Sequence, residues 1–251
     1  MDTNKIEKEK KEETLGETLK TVLYAIIIAC LIRTFWFEPF KIPSGSMYPT
    51  LEVGDFLFVS KYTYGYSKHS FPFSFPPFQG RIWADLPQRG DVVVFKSPSD
   101  NKIDYIKRII GLPGDTIQMI DGLLYINGKN IPREKKGRYV IRDYTPFPQE
   151  FTEYTETLPE GKSHRILEYS DDVMVVDNTP KFTVPEGHYF MMGDNRDNSN
   201  DSRKDIGMVP FDNIEGKARF LFYSHDDSAS WYNPISWIMA IRWQRLFNKI
   251  D

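Results

Sequence analysis

Residues Ile42-Pro-Ser-Gly-Ser-Met-Tyr-Pro-Thr-Leu51 set two serines on either side of a glycine, between Pro43 and Pro49. Such a turn exposes a hydroxyl while its own backbone N–H points the same way, the arrangement that acyl transfer requires. A serine nucleophile needs a base, and none of the four histidines (His69, His164, His188, His225) stands in an obvious relation to it. Tyr105-Ile-Lys-Arg-Ile-Ile110 reads as a strand, in which Lys107 shares a face with Tyr105 and Ile109, and Arg108 with Ile106 and Ile110. One of the two cations is expected to face the interior. Arginine cannot shed its proton, whereas a lysine removed from water falls from ~10.4 to about 7–8 and becomes a base. Periodicity alone favours the reading of Lys107 as a surface lysine.

Other constellations fail on their spacing. The histidines show no metal-ligand pattern. Arg89-Gly90-Asp91 sits where a turn enters a strand, which argues against an adhesion motif. The acidic run Asp194–Asp201 invites a calcium reading, but from Asp197 the sixth position is Ser202 and the twelfth is Met208, where an EF-hand needs Gly and Glu. The single cysteine, Cys30, precludes an intrachain disulfide and any multi-cysteine metal site within one chain.

Positioning these residues requires a core, and 251 residues with 15% aromatics can supply one. Seventeen Pro and 16 Gly without a period exclude collagen and long coiled coils. A net charge of −3 gives no electrostatic reason to expect nucleic acid as a partner. Short apolar runs bounded by turn residues predict strands at 91–96, 105–110, 116–120, 123–126, 173–176, 188–192 and 218–223. Asp121-Gly122 marks a tight hairpin. The fold class expected is mostly β, with 130–172 charged and less regular, like an insertion.

The N-terminal end reads differently. Residues 1–20 are polar and carry Lys5, Lys8, Lys10, Lys11 and Lys20. From Thr21 to Phe40 the only charges are Arg33 and Glu38, and the span fits a hydrocarbon core of roughly 30 Å with Trp36 at its interface. A cleaved leader is disfavoured because Phe35–Phe40 is too bulky for a small-residue cleavage site, and a buried globular helix is the remaining alternative. Segments 1–20, 21–40 and 41–251 are thus expected to be a cytoplasmic tail, a transmembrane anchor and an external domain. The Phe71–Phe78 stretch, with four Phe among prolines, and the Trp-rich, basic 231–251 region suit lipid contact, or packing on their own domain. The second has a composition suited to a helix lying at an interface, although packing on its own domain is the stronger reading for it.

Four blocks in order, Ile42–Leu51, Arg89–Lys96, Asp104–Asp115 and Gly193–Arg203, resemble bacterial type I signal peptidases, membrane-anchored Ser–Lys proteases. The resemblance implies Ser46 as nucleophile and Lys107 as general base. It implies an oxyanion hole from the Ser46 N–H and the Ser44 hydroxyl, and Ser199 as the residue that orients the lysine. Asp194, Asp201 and Arg203 would support the site, and Met47 would pack beside the substrate cleft. It further implies an inserted β subdomain at about 118–183, no cofactor, and cleavage after small residues at −1 and −3. Partners would be preprotein signal peptides and membrane lipid near the secretion translocon. The location would be a bacterial cytoplasmic membrane, with the N-terminus inside and the catalytic domain outside. The best-known Gram-negative members have two anchors and a disulfide, whereas this chain shows one anchor and one cysteine. A dedicated Ser–Lys maturation peptidase with one substrate, and an inactive signal-peptide receptor, are the alternatives.

Overall fold

The computed structural model describes residues 3–71, 74–169, 176–230 and 232–250. Helix α1 runs Thr3–Phe35, a stretch without proline whose second half is rich in Leu, Ile and Ala. Its Leu15–Phe35 portion has a mean hydropathy of 1.8 and is not buried against the rest of the protein. It is the one helix among the described residues long and apolar enough to cross a membrane.

The strands are β1 (Phe37–Lys41), β2 (Asp55–Ser60), β3 (Val92–Lys96), β4 (Asp104–Gly111), β5 (Thr116–Ile120), β6 (Leu123–Ile126), β7 (Lys129–Asn130), β8 (Arg133–Ile141), β9 (Gln149–Thr157), β10 (Ser163–Glu168), β11 (Phe182–Thr183), β12 (His188–Met192), β13 (Val209–Pro210) and β14 (Ile214–Ser224). Seven of them form one curled antiparallel sheet in the order β1-β2-β14-β3-β4-β12-β13. Between β4 and β12 in sequence lie two smaller sheets, β11-β5-β6-β7 and β10-β9-β8. The mostly β fold expected from the sequence is present. Asp121 and Gly122 both adopt positive φ (49° and 71°), the backbone that a two-residue hairpin between β5 and β6 demands.

Three expectations shift. The span placed at 21–40 is displaced toward the N-terminus, because Phe37–Lys41 belongs to the sheet and not to the helix. Phe40 packs on the core with Ile42 and Leu57, Phe37 meets the rings of Phe58 and Tyr62, and Glu38 is ion-paired with Lys61. Pro39 is accommodated because β1 is an edge strand. The irregularity expected across 130–172 is replaced, over 133–168, by the regular β8–β9–β10 sheet, and 170–172 lie outside the described residues. Glu134, Lys135 and Lys136 are consecutive and all exposed on β8, which masks the alternation. Among its described residues the C-terminal region holds a six-residue helix, α2 (Pro234–Met239), and a 3-10 turn, Trp243–Arg245, before Lys249 bridges back to Phe220. Positions 173–175 of the expected 173–176 strand and Trp231 lie outside the described residues, and Val176 is not in a strand. Of the Phe71–Phe78 segment, Phe71 packs on Phe35, Tyr66 and Phe78, whereas Phe75 is exposed.

The helix joins the sheet almost without a linker. Tyr66 Oη donates to the Phe35 carbonyl at 2.7 Å, and the Lys61 N–H donates to the Trp36 carbonyl at 3.1 Å. Glu38, 6% exposed, lies 2.6 Å from the ammonium of Lys61, 4% exposed. Removing one partner of a buried pair strands the other charge and costs about 3–5 kcal/mol, whereas replacing both is often neutral. Glu38→Ala should therefore lower the melting temperature by roughly 6–20 °C, and Glu38→Leu combined with Lys61→Met should recover most of the loss, as read by calorimetry.

Candidate active site

The serine turn is fixed from below by its own apolar residues. Met47 and Leu51 are both fully buried in the core cluster that contains Leu57, Val59 and Val94. Gly45–Met47 forms a single 3-10 turn whose preceding residue, Ser44, is extended, exposed and makes no side-chain cap bond. Ser46 is thereby carried at the end of a rigid, sheet-anchored turn.

Lys107 approaches from β4. Its Nζ stands 2.7 Å from Ser46 Oγ and donates to the Ile106 carbonyl at 2.9 Å. The residue is 3% exposed. Burial pulls its pKa down to about 8, against the opposing pull of the Asp201 and Asp194 carboxylates. A neutral amine has one lone pair, and the Ser46 hydroxyl is placed to donate to it.

Only one of Lys107 and Arg108 was expected to face inward; both are buried, because the sheet is covered on both faces here. Arg108, 1% exposed, donates to both Asp194 oxygens, at 2.9 and 2.8 Å, and to the Gly90 carbonyl at 2.8 Å. Thr50 Oγ1 adds a 2.5 Å bond to Asp194. Burial alone would raise the Asp194 carboxyl, but Arg108 outweighs it and holds the group below the usual range. Asp201 is in the same position: Arg203 donates to both of its oxygens, and the Gly193 N–H adds a third bond.

The 193–203 loop touches the serine directly. The Asn195 N–H donates to the Ser46 carbonyl at 3.1 Å, and its side-chain amide donates to the Gly45 carbonyl at 3.0 Å. Sequence reasoning missed this residue, since an asparagine in a polar loop carries no pattern that marks a non-local contact. The small sheet supports the loop from behind. Leu167 of β10 exchanges backbone bonds with Asp194 and Arg196, and Glu156 of β9 pairs with the Arg196 guanidinium. Burial would raise Glu156, and Arg196 reverses it.

Ser46, Lys107, Asp194, Asp201 and Arg203 are thus gathered in one place, with Ser44 at the lip. Ser199 lies behind Gly193, 3% exposed, but its hydroxyl makes no bond to Lys107 and has no partner among the described residues. Gly193 separates the two serines: a Cβ there would lie 2.3 Å from Ser199 Oγ and 2.5 Å from the Ser46 carbonyl oxygen. Among the described residues no group of His, Cys, Asp or Glu is arranged to hold a metal ion.

A family model described as "Signal peptidase, peptidase S26" matches residues 15–223. Signal peptidase I of Rickettsia typhi is 40% identical over 258 residues, covering 96% of both chains. That of Rickettsia akari is 41% identical over 260 residues, covering 97% of this chain and 96% of its own. A crystal structure of signal peptidase I from Enterococcus faecalis is 34% identical, covers 53% of this chain and 97% of its own, and has a TM-score of 0.32. The family model and the two curated relatives define a peptidase. More narrowly, the chain belongs to the signal peptidase family, peptidase S26.

Gly193→Ala should push Ser199 and the Ser46 carbonyl apart. Overpacking of this kind costs about 1–3 kcal/mol, and a displacement near 1 Å of a reacting group costs about 10² in rate. The expected outcome is a folded protein with a slightly lower melting temperature and a peptidase kcat down by about 10².

Proposed function

We propose that the chain is a membrane-anchored endopeptidase that removes signal peptides from preproteins through a Ser46–Lys107 dyad. The observation that carries this reading is the 2.7 Å approach of a buried lysine amine, its pKa lowered to about 8, to a serine hydroxyl. Family membership supplies the substrate class.

The steps follow from the geometry. Neutral Lys107 accepts the Ser46 proton as Oγ bonds to the scissile carbonyl carbon. The resulting oxyanion faces the Ser46 N–H and the Ser44 hydroxyl, at the exposed lip of the turn. Lys107 then returns the proton to the departing amine as the C–N bond breaks, leaving an ester on Ser46. Water attacks that ester with Lys107 again as base, and the regenerated hydroxyl completes the cycle. A χ1 rotation of Ser199, whose hydroxyl has no partner, would let it bond and orient the amine. Cleavage after small residues at −1 and −3 is part of the same reading. So are the topology, with the α1 N-terminus inside the cell and the sheet outside, and the 118–183 insertion as a subdomain that braces the site. Exposed apolar side chains near the C-terminus, among them Trp237, Ile238, Met239 and Trp243, support contact with lipid.

With a preprotein carrying an Ala-x-Ala site, the detergent-solubilised enzyme should make one cut after that site, located by product masses, and Ser46→Ala should make none. Equal cutting by both would remove Ser46 from the mechanism. Ser44→Ala should lower kcat by about 10²–10³ through loss of one oxyanion donor.

The pH dependence has a definite sign. Activity requires the neutral amine, so kcat/KM should rise with pH to a half-maximum near pH 8 and fall about tenfold per unit well below it. Because the folded-state pKa lies below that of an unfolded lysine, the unfolded chain binds more protons between them. Stability should therefore increase as pH rises from about 8 toward ~10.4, and Lys107→Met should abolish that slope along with activity.

A further inference from the structure

A cavity of about 270 Å³ lies where the main sheet meets the small β8–β9–β10 sheet, and the dyad chemistry has no role for it. The main sheet supplies Gly90 and Asp91 at the entry to β3, Arg108 of β4 and Lys217 of β14. The small sheet supplies Lys162 of the β9–β10 turn and His164 of β10, and Ile250 adds an apolar wall. Junctions of this kind are favoured places for small-molecule sites, and the volume is near the lower end of their usual range of roughly 300–1,000 Å³.

The charges on the lining do not balance. Lys217 Nζ donates to Asp91 Oδ1 at 2.6 Å, and Lys162 Nζ donates to the same atom at 3.1 Å. The other oxygen of Asp91 accepts the Tyr64 hydroxyl at 2.8 Å and the Gln88 N–H at 3.1 Å. Burial would raise the Asp91 carboxyl, and the bonds from Lys217 and Tyr64 hold it below the usual range. Two ammonium groups thus share one carboxylate. Arg108 is answered by Asp194, and His164, pulled down to about 4 by burial, is uncharged near neutral pH. Of the neighbouring carboxylates, Asp115 and Glu160 are both held by Arg89. One positive charge on the lining is left over.

That charge is within reach of a ligand. The side chains of Lys162 and Lys217 are 43% and 22% exposed, whereas Arg108 and His164 are buried. An ammonium has three N–H donors. Among the described residues Lys217 uses one, on Asp91, and Lys162 uses two, on Asp91 and on Gln88 Oε1. Gly90 places the Lys162 stem: with φ at +87°, a Cβ there would lie 3.0 Å from Lys162 Cδ and 3.2 Å from Leu158 Cδ1. We propose that the cavity binds a small organic monoanion, a carboxylate on a short apolar chain, with its charge between Lys162 and Lys217 and its chain against Ile250. Such a ligand ties the β9–β10 turn to β14, and so acts on the sheet that braces the 193–203 loop. The site does not rest on the peptidase reading, since neither ammonium contacts Ser46 or Lys107.

The test titrates two probes, pentanoate and its uncharged counterpart pentanamide, into the full chain in detergent at pH 7, read by calorimetry. Wild type should bind one pentanoate with a dissociation constant of about 1 mM, and pentanamide about tenfold more weakly. Lys217→Gln and Lys162→Gln keep a donor for Asp91 but remove a charge, and each should weaken pentanoate about tenfold while leaving pentanamide unchanged. Lys249→Gln, an exposed lysine outside the lining, should change neither. If Lys217→Gln fails to fold, the more exposed Lys162 carries the comparison. Equal binding of the two probes, pentanoate binding that survives the lysine substitutions, or no binding by wild type overturns the proposal. Hydrogen–deuterium exchange then locates the ligand. Pentanoate should protect 158–164 and 214–218, and protection confined to 42–51 would put the carboxylate at the serine turn and overturn the assignment. Asp251→Asn should bind pentanoate as wild type does. Binding seen only in that variant would mean that the chain's own carboxylate fills the cavity, and the proposal of an outside ligand would fall.

Discussion

The buried pair between Arg108 and Asp194 is the joint on which the site depends. Lys107 and Arg108 are consecutive on β4 and therefore leave it on opposite faces. On one face Arg108 grips Asp194 through two parallel bonds, which fixes the start of the 193–203 loop relative to the strand. One residue later, Asn195 holds the carbonyls of Gly45 and Ser46. On the other face Lys107 meets the Ser46 hydroxyl. Three segments distant in sequence are thus registered by a single bidentate contact, and the distance between amine and hydroxyl is set by how well that contact is made.

Charge matching around the pair explains how an amine stays near neutrality within reach of two carboxylates. Asp194 and Asp201 both pull the Lys107 pKa upward, yet burial prevails. Each carboxylate has its own guanidinium, Arg108 for one and Arg203 for the other, and each is held ionised and locally neutralised. An unmatched carboxylate at either place would favour the ammonium form of Lys107. The acidic loop therefore acts as a set of closed ion pairs that shape the site without lending it charge. The small β8–β9–β10 sheet extends the same logic outward through Glu156 and Arg196.

Much of this was legible in the chain, and the parts that were not share a physical reason. The β4 strand, the Asp121-Gly122 hairpin and the serine turn are local patterns whose residues encode their own geometry. The choice between Lys107 and Arg108 was half legible. Alternation shows that they diverge, but it cannot show that both faces of the strand are covered, because the cover comes from segments far away in sequence. Asn195 was invisible for the same reason. The β8–β10 sheet escaped because β8 carries three consecutive exposed charges, Glu134, Lys135 and Lys136, which dilute the apolar alternation that marks a strand. Residues 37–40 looked like the end of the anchor because Phe suits lipid and protein interiors alike. Only their pairing with β2 distinguishes the two.

That pairing has a consequence for reach. The helix ends at Phe35, one residue separates it from β1, and the join is clamped by Tyr66 and by the Glu38–Lys61 pair. A flexible tether would let the catalytic turn sample a broad shell above the helix. Here the turn stands at a set height, no more than roughly 35 Å of extended chain from the helix end. The first strand therefore fixes how far the Ser46 turn stands from the end of the apolar helix, as a spacer of set length rather than a hinge.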